Sequence, residues 1–227
     1  MPTMRVFTIC LLSLVLLAGA CSDDTASGER VVPTPEAGAE LEAQEIDGFA
    51  PGIDDRVAIV GIAAGQTLSV HALPGANQPI IAEIPSTATD LFGYGETSET
   101  PDGRQWWLIR YEDAQGWIEP GAAYLGGPVD ISVGIAGRLS NTTYDDPNTL
   151  LAEVRSLLGG ELVTVFQGPA IDGPATTILD ELTDGDDSVR GRRITLTLIG
   201  EGGSFRLSEV QEQALCARGV DDSGLCV

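Results

Sequence analysis

Short apolar runs separated by glycine- and proline-containing turns occupy the chain from about residue 55 onward. In the first half they are VAIVGI (57–62), LSV (68–70), PIIAEI (79–84), DLFGYG (90–95), WWLIRY (106–111) and GWI (116–118). Runs this short favour strands over helices, and the dipeptides between them favour tight connections. The pattern predicts a small barrel of roughly five or six strands.

Composition supports a turn-rich β protein and narrows the range of partners. The 227 residues include 28 glycines and 13 prolines, and 34 acidic residues outnumber 12 basic residues, all of which are arginine. An acidic surface repels phosphate backbones and anionic wall polymers. Nucleic acid is therefore not expected as a partner.

The second half, residues 128–227, follows a glycine-rich hinge at 126–127 and has a mixed pattern. Asp146 and Pro147 form a helix start, and apolar residues at helical spacing continue to Gly159. Strands are predicted at ISVGIAG (131–137), ELVTVF (161–166), ATTILDEL (175–182), RRITLTLIG (192–200) and SFRLSEV (204–210). The expectation is an α+β domain with one helix against an antiparallel sheet.

The N-terminus has the order of a secretory signal. Arg5 precedes an apolar run that is short for a membrane span. The following Ala-Gly-Ala-Cys at 18–21 resembles the lipobox of bacterial lipoproteins, although Ala18 stands where that family usually has leucine. The resemblance implies a signal peptide over 1–20 and a lipid-modified Cys21. An ordinary signal peptide beside a free cysteine is the alternative.

Residues 21–53 are predicted to be a disordered acidic stalk, because they contain little apolar bulk to bury. Beyond this stalk, LSVHALPG (68–75), IIAEIP (80–85) and WWLIRYEDAQGWIEPGAAYL (106–125) resemble the bacterial SH3 domain over residues 54–126. Two departures are His71 in place of the usual arginine and Leu73 in place of glycine. The resemblance implies an SH3-like barrel of the kind that binds cell-wall peptides.

Adjacent tryptophans raise the question of a binding face. Neighbouring residues of a strand point to opposite sides, so Trp107 and Ile109 share one face and Trp106 and Leu108 share the other. The bacterial SH3 resemblance places an aliphatic core residue at Ile109, which implies that Trp107 enters the core and that Trp106 faces outward. The ligand-binding candidates are Trp106, Trp117, Tyr94 and Tyr124. Alternatively, Trp106 and Leu108 pack beneath the neighbouring domain or the first loop.

Other chemistry-bearing residues give few further sites. An exported pair, Cys216 and Cys226, predicts a disulfide. His71, the single histidine, is interpreted as an ordinary loop residue, and no cofactor or metal is expected. An acidic stretch could offer oxygen ligands to calcium but is interpreted as a solvated turn; its acids are Asp180, Glu181, Asp184, Asp186 and Asp187.

These features predict a lipoprotein anchored to the outer face of a bacterial cell membrane, which binds cell-wall peptide or an envelope protein. In one alternative, the SH3-like domain is a spacer packed on a structural or sensory C-terminal domain. In another, the protein is an accessory factor to a cell-wall hydrolase. The sequence has no recognisable nucleophile motif, phosphate loop or Cys–His pair, so an enzyme is not expected.

Overall fold

A computed structural model describes residues 50–168, 174–183 and 188–227. The predicted signal peptide, Cys21 and nearly all of the predicted stalk lie outside these residues. The described residues belong to one unit by their internal contacts.

Seven short strands make up the first half. They are β1 (Arg56–Ile59), β2 (Thr67–His71), β3 (Ile80–Pro85), β4 (Leu91–Glu99), β5 (Gln105–Tyr111), β6 (Ala114–Ile118) and β7 (Ala122–Leu125). Every predicted run of the first half falls wholly or partly on one of them. The glycine and proline signals between the runs mark the connections, as turn chemistry leads one to expect.

Five strands and two helices are formed by the described residues of the second half. They are β8 (Val129–Asp130), α1 (Ser132–Ala136), α2 (Pro147–Leu158), β9 (Leu162–Gln167), β10 (Pro174–Leu182), β11 (Val189–Glu201) and β12 (Ser204–Cys216). The fold is therefore mainly β, with a helix against an antiparallel sheet, which confirms the predicted fold class.

One antiparallel sheet runs through both halves and does not close on itself. Its order is β3-β2-β6-β5-β4-β1-β7-β12-β11-β10-β9, with β8 on β12. Strand β7 joins the halves, because it pairs with β1 through Ala122 and Ala123 and with β12 through Tyr124 and Leu125. The last strand of the first half is thus also a strand of the second half.

The strand predicted at 131–137 is wrong, because these residues form helix α1. The Asp130 carboxylate accepts a hydrogen bond from the Ser132 backbone N–H at 2.8 Å, which turns the chain into the helix. Ile135 is buried in the second core while Val133 is 87% exposed. The apolar residues therefore meet the core at helical spacing and do not alternate as in a strand.

Helix α2 begins where the sequence predicts. The Asp146 carboxylate accepts hydrogen bonds from the backbone N–H groups of Asn148 and Thr149 at 3.2 and 3.1 Å, and Pro147 occupies the first turn. These bonds satisfy donors that a helix start leaves unpaired. Leu150, Leu151 and Val154 carry the buried face.

Each half has its own core. The first is made by strands alone, from Val57, Ile59, Val70, Ile84, Leu91, Trp107, Ile109, Ile118 and Ala122. The second packs the helices onto the sheet, and its largest fully buried members are Leu150, Leu179, Ile194 and Leu196.

The two ends of the sheet approach each other. The Ala64 backbone N–H donates to the Thr164 carbonyl at 2.7 Å, and the Ser86 hydroxyl donates to the Val165 carbonyl at 2.9 Å. Thr164 and Val165 lie on β9, the last strand of the sheet order, whereas Ser86 follows β3, the first. These bonds cover part of an edge strand that would otherwise expose backbone groups.

The folded part begins before the predicted end of the stalk at residue 53. Pro51 is buried, and its carbonyl accepts a hydrogen bond from the Gly95 backbone N–H at 3.0 Å. Gly93 makes this approach possible, because a Cβ at that position would lie 2.3 Å from the Pro51 carbonyl oxygen. Residues 50–53 are therefore attached to the first half.

Candidate functional site

Strand β5 places the adjacent tryptophans on opposite faces. Trp107 pairs with Ile118 of β6 and belongs to the first core with Ile109. Trp106, one residue earlier, shares the other face with Leu108. The strand alternation inferred from the sequence therefore describes β5 correctly.

The prediction that Trp106 is exposed is wrong. Only 1% of Trp106 is accessible, and Leu108 is 8% exposed on the same face. The His71 ring lies edge-on to the Trp106 ring, with 5.2 Å between the ring centroids. The end of β2 places His71 against this face, whereas the alternative expected the neighbouring domain or the first loop to lie there.

His71 is a buried strand residue, so its interpretation as an ordinary loop residue is also wrong. It ends β2, is 7% exposed and pairs with Trp117 of β6. Its Nδ1 lies 2.9 Å from the Gln78 carbonyl oxygen, which holds the ring in place through the β2–β3 connection. The histidine thus stabilises the Trp106 face.

The other aromatic candidates have different surroundings. Trp117 is half-buried beside His71 and Leu108, and Tyr94 is half-buried on β4. The Tyr124 hydroxyl donates to the Asp55 carboxylate at 2.6 Å and accepts from the Gly52 N–H at 3.3 Å. Burial, followed by the bond to Asp55, raises the pKa of Tyr124 well above its ordinary value. The two hydrogen bonds of Tyr124 therefore hold residues 52–55 against β7.

An ion pair that sequence reasoning missed lies between the halves. Arg193 of β11 donates to both oxygens of Asp180 of β10, at 2.7 and 2.8 Å, and the two residues are 3% and 0% exposed. Arg193 also donates to the Ile59 carbonyl at 2.6 Å, and Asp180 accepts from the Gly61 N–H at 2.9 Å. Both charges are thus satisfied partly by the first half of the chain.

A signal for this pair was present in the sequence. Two adjacent acids lie near the end of the predicted ATTILDEL strand, and two adjacent arginines begin the predicted RRITLTLIG strand. In the hairpin Asp180 lies opposite Arg193, and Glu181 lies opposite Arg192. Arg192 donates to Glu181 at 2.6 Å and to Glu212 at 3.0 Å.

These contacts account for two of the five acids considered for calcium. Asp184, Asp186 and Asp187 lie outside the described residues, while Asp180 and Glu181 are paired with arginine. Among the residues that the structure describes, no group of three His, Cys, Asp or Glu side chains is placed to hold a metal ion.

A cleft lies at the junction, beside the ion pair. Its volume is about 390 Å³, and its lining is largely apolar. Val60, Ile62 and Leu68 come from the first half, whereas Leu182 and Arg190 come from the β10–β11 hairpin. The Arg190 guanidinium lies 5.6 Å from the centroid of the Trp107 ring.

A second pocket, of about 440 Å³, lies on the first half around Phe92 and Tyr111. The guanidinium of Arg110 already covers the Phe92 ring at 4.8 Å, and Asp90 is paired with Arg56 at 2.5 Å. Arg110 and Asp90, two charged residues of this lining, therefore contact groups of the protein itself.

The predicted disulfide is present between Cys216 and Cys226. It closes a loop in which the Gly224 carbonyl accepts a hydrogen bond from the Gly127 N–H at 2.8 Å. The bridge therefore attaches the C-terminal loop to the segment that connects the halves.

Comparison with known proteins gives no assignment: no protein-family model, curated protein or solved structure matches the chain. Within residues 50–168, 174–183 and 188–227, neither helix has the length and apolar character needed to cross a membrane.

Proposed function

We propose that the protein is a lipoprotein of the bacterial cell envelope that acts by binding, with an SH3-like first half fused to a second interaction half. The observation that carries the proposal is the Ala-Gly-Ala-Cys sequence at 18–21 after an apolar run that starts with Arg5. Acylation of Cys21 would anchor the chain, and two or more acyl chains give stable attachment.

The anchor is tested by expressing the full chain in a bacterial host and comparing Cys21→Ser with Cys10→Ser. Wild type and Cys10→Ser are expected in the membrane fraction, with a mature N-terminal cysteine whose mass includes the lipid. Cys21→Ser is expected to lose both the lipid and the retention. An unmodified, freely soluble mature wild-type chain would contradict the anchor.

Binding of cell-wall peptide or an envelope protein is the proposed activity of the first half. The order of strands β1–β7, with Trp107, Ile109 and Ile118 in one core, supports the SH3-like interpretation. The buried Trp106 is no longer a ligand contact, so Trp117 is the remaining half-exposed indole in this half.

A pull-down with purified cell walls tests this activity. Wild type should be retained, and Trp117→Ala should be retained several-fold less. Phe166→Ala is the matched control, because Phe166 is 37% exposed on β9 of the second half. Equal retention of wild type and Trp117→Ala would reject Trp117 as a contact, and no retention of wild type would reject the wall ligand.

The spacer alternative is favoured by one specific observation. Arg193 and Asp180 bond to Ile59 and Gly61, so the first half is joined to the second by buried polar contacts as well as by the sheet. In this alternative the first half supports the second half and binds nothing. Retention on cell walls that is lost in Trp117→Ala would argue against it.

A further inference from the structure

Strand β3 is an edge of the sheet whose outer side is open. It is first in the sheet order, and within the described residues no backbone group outside β2 forms a hydrogen bond with residues 80–84. The opposite edge, β9, is partly covered by hydrogen bonds from Ala64 and Ser86. An uncovered edge presents backbone donors and acceptors that can pair with a further strand.

A proline indicates which backbone groups of β3 point outward. Pro85 lies opposite Thr67 and has no N–H, so these two residues cannot exchange a pair of hydrogen bonds. In antiparallel strands, residue pairs that exchange hydrogen bonds alternate with pairs that do not. The pair of Glu83 and Ser69 is therefore also of the kind that exchanges none, and the N–H and C=O of Glu83 point away from β2.

Two isoleucines expose apolar surface on both faces of this edge. Ile80 is 55% exposed and Ile81 is 48% exposed. Ile80 lies opposite His71, whereas Ile81 lies on the side of the core residue Val70. A Cβ added at Gly116 would lie 2.7 Å from the Val70 Cγ1 and 2.9 Å from the Ile81 Cδ1. An added strand would cover both isoleucines, because its side chains alternate between the faces, whereas a ligand on one face would cover one.

The charge of Glu83 favours a basic partner. Glu83 is exposed, is the one charged residue between Pro79 and Pro85, and takes part in none of the ion pairs of the described residues. Opposite charges on directly opposed strand residues stabilise the pairing, whereas like charges destabilise it. The formal net charge of −22 also attracts a cationic segment at long range.

The flanking prolines restrict what can pair here. Because proline cannot donate to a ladder, Pro79 and Pro85 limit an added strand to the length of residues 80–84. This favours a short segment over an open-ended stack of strands. A second copy of the chain is disfavoured, because it has the same net charge and its own β3 has no basic residue to place opposite Glu83.

We propose that the free edge of β3 binds a short extended segment of a partner protein as an added strand, with apolar side chains on Ile80 and Ile81 and a basic side chain opposite Glu83. This goes beyond the proposed function, because the site is a strand edge and not Trp117. It also requires neither the lipid anchor nor a cell-wall ligand.

The probe is fluorophore-labelled acetyl-Val-Val-Arg-Val-Val-amide, added to the full chain in detergent. Its sequence reads the same in both directions, so it suits a parallel or an antiparallel added strand. The matched control has glutamate in place of the arginine. Fluorescence anisotropy should show saturable binding of the arginine peptide, and the glutamate peptide should bind at least about fivefold more weakly. Equal binding of the two peptides, or no binding of the arginine peptide, would overturn the proposal.

Charge reversal at Glu83 locates the site. Glu83→Lys should lose at least about fivefold of the preference for the arginine peptide. Glu201→Lys makes the same change at the exposed end of β11 and should keep the wild-type preference. Both positions are exposed, so both variants are expected to fold. A preference that fell equally in the two variants would show a general charge effect and would reject the β3 edge.

The apolar contact is tested in the same assay. Ile80→Ser should weaken the arginine peptide several-fold, because it removes apolar surface that the added strand covers. Val133→Ser is the matched control, since Val133 is 87% exposed on helix α1 and should bind the peptide like wild type. Unchanged binding to Ile80→Ser would contradict the assigned contact.

Backbone pairing distinguishes an added strand from a ligand that lies on one face. Adjacent N–H groups of a strand point to opposite edges, so methylating the arginine N–H or the next valine N–H of the probe should give unequal results, with one peptide losing binding and the other retaining it. Bound probe should also slow hydrogen exchange at the Glu83 amide. Equal effects of the two methylations, or unchanged exchange at Glu83, would contradict strand addition. A peptide-free chain that is dimeric, with the Glu83 amide already protected, would assign the edge to a second copy and overturn the partner.

Discussion

The first half of the described chain, residues 50–125, closes its core with strands alone, whereas the second half places helix α2 on one face of its sheet. In the second half Leu179 and Ile194 face the helix, and the next residues towards the junction, Asp180 and Arg193, face the first half. A sheet with one helical face needs cover on its other face. The first half supplies this cover, and the buried Asp180–Arg193 ion pair lies where the two halves meet.

The largest effect is expected at this boundary. Asp180→Ala leaves Arg193 buried without its partner, which should lower the free energy of unfolding by about 3–5 kcal/mol. Urea unfolding measures this loss. The exposed Arg56–Asp90 pair provides the control, and Asp90→Ala should stay close to wild type because exposed pairs contribute little. A similar loss in both variants would show that the junction is not a special contact.

The second prediction concerns whether the halves unfold together. All three tryptophans lie within 106–117, so tryptophan fluorescence reports on the first half. Leu150→Ala, in the core under helix α2, should cost about 2–5 kcal/mol and should shift the fluorescence transition and the circular dichroism transition alike. A fluorescence midpoint that did not move would mean that the halves unfold separately.

The third prediction concerns the bridge that attaches the C-terminal loop. Cys216→Ser combined with Cys226→Ser should lower the free energy of unfolding by about 2–3 kcal/mol, since the bridge restricts the unfolded chain. Guanidinium unfolding of the double variant and of the wild type measures the difference. An unchanged midpoint would contradict it.

The smallest effect is expected at the start of helix α2. The pKa of Asp146 is lowered chiefly by the hydrogen bond from the Asn148 backbone N–H, and further by hydrogen bonds from Thr149. Because the pKa of Asp146 is lower in the folded than in the unfolded chain, where it is about 3.9, the ionised carboxylate stabilises the fold at pH values above the unfolded pKa. This stabilisation is lost as the pH falls through the folded-state pKa. Asp146→Ala should therefore melt below wild type at pH 7, by a margin that shrinks in acid.

Asp146→Asn tests the same helix start without the charge. Because asparagine also caps helices, this variant should melt close to wild type at pH 7 and show less dependence on acid. Thermal melts between pH 2 and 7 compare the three proteins. A margin between wild type and Asp146→Ala that grew as the pH fell would contradict the assigned direction.

The sequence predicted local structure more fully than the environment of the site. Alternation in WWLIRY placed Trp106 and Trp107 on opposite faces, and the Asp146-Pro147 signal located helix α2, because each depends on neighbouring residues. The choice of Trp107 as the core residue came from the SH3 resemblance. The exposure of Trp106 depends on His71, which is 35 residues away in sequence and reaches it only through the β2–β6 pairing. Such a contact has no local signature.

The junction shows the same limit. Adjacent acids on β10 and adjacent arginines on β11 could have predicted a cross-strand pair. The bonds of Arg193 to Ile59 and of Asp180 to Gly61 could not be inferred, because they depend on how the two halves of the chain pack together. The cleft formed by Leu68, Leu182 and Arg190 is likewise a product of that packing.

The attachment of residues 52–55 to Tyr124 has a mechanical consequence. Tyr124 lies on β7, between β1 and β12 in the sheet. A pull on the N-terminal end of the folded part would load the Pro51–Gly95 hydrogen bond, then the Tyr124–Asp55 hydrogen bond, and then the interior of the sheet. Interior strands resist in shear, with several hydrogen bonds strained at once, whereas an edge strand can be peeled one bond at a time. A tether at this end would therefore transmit tension to strands with neighbours on both sides.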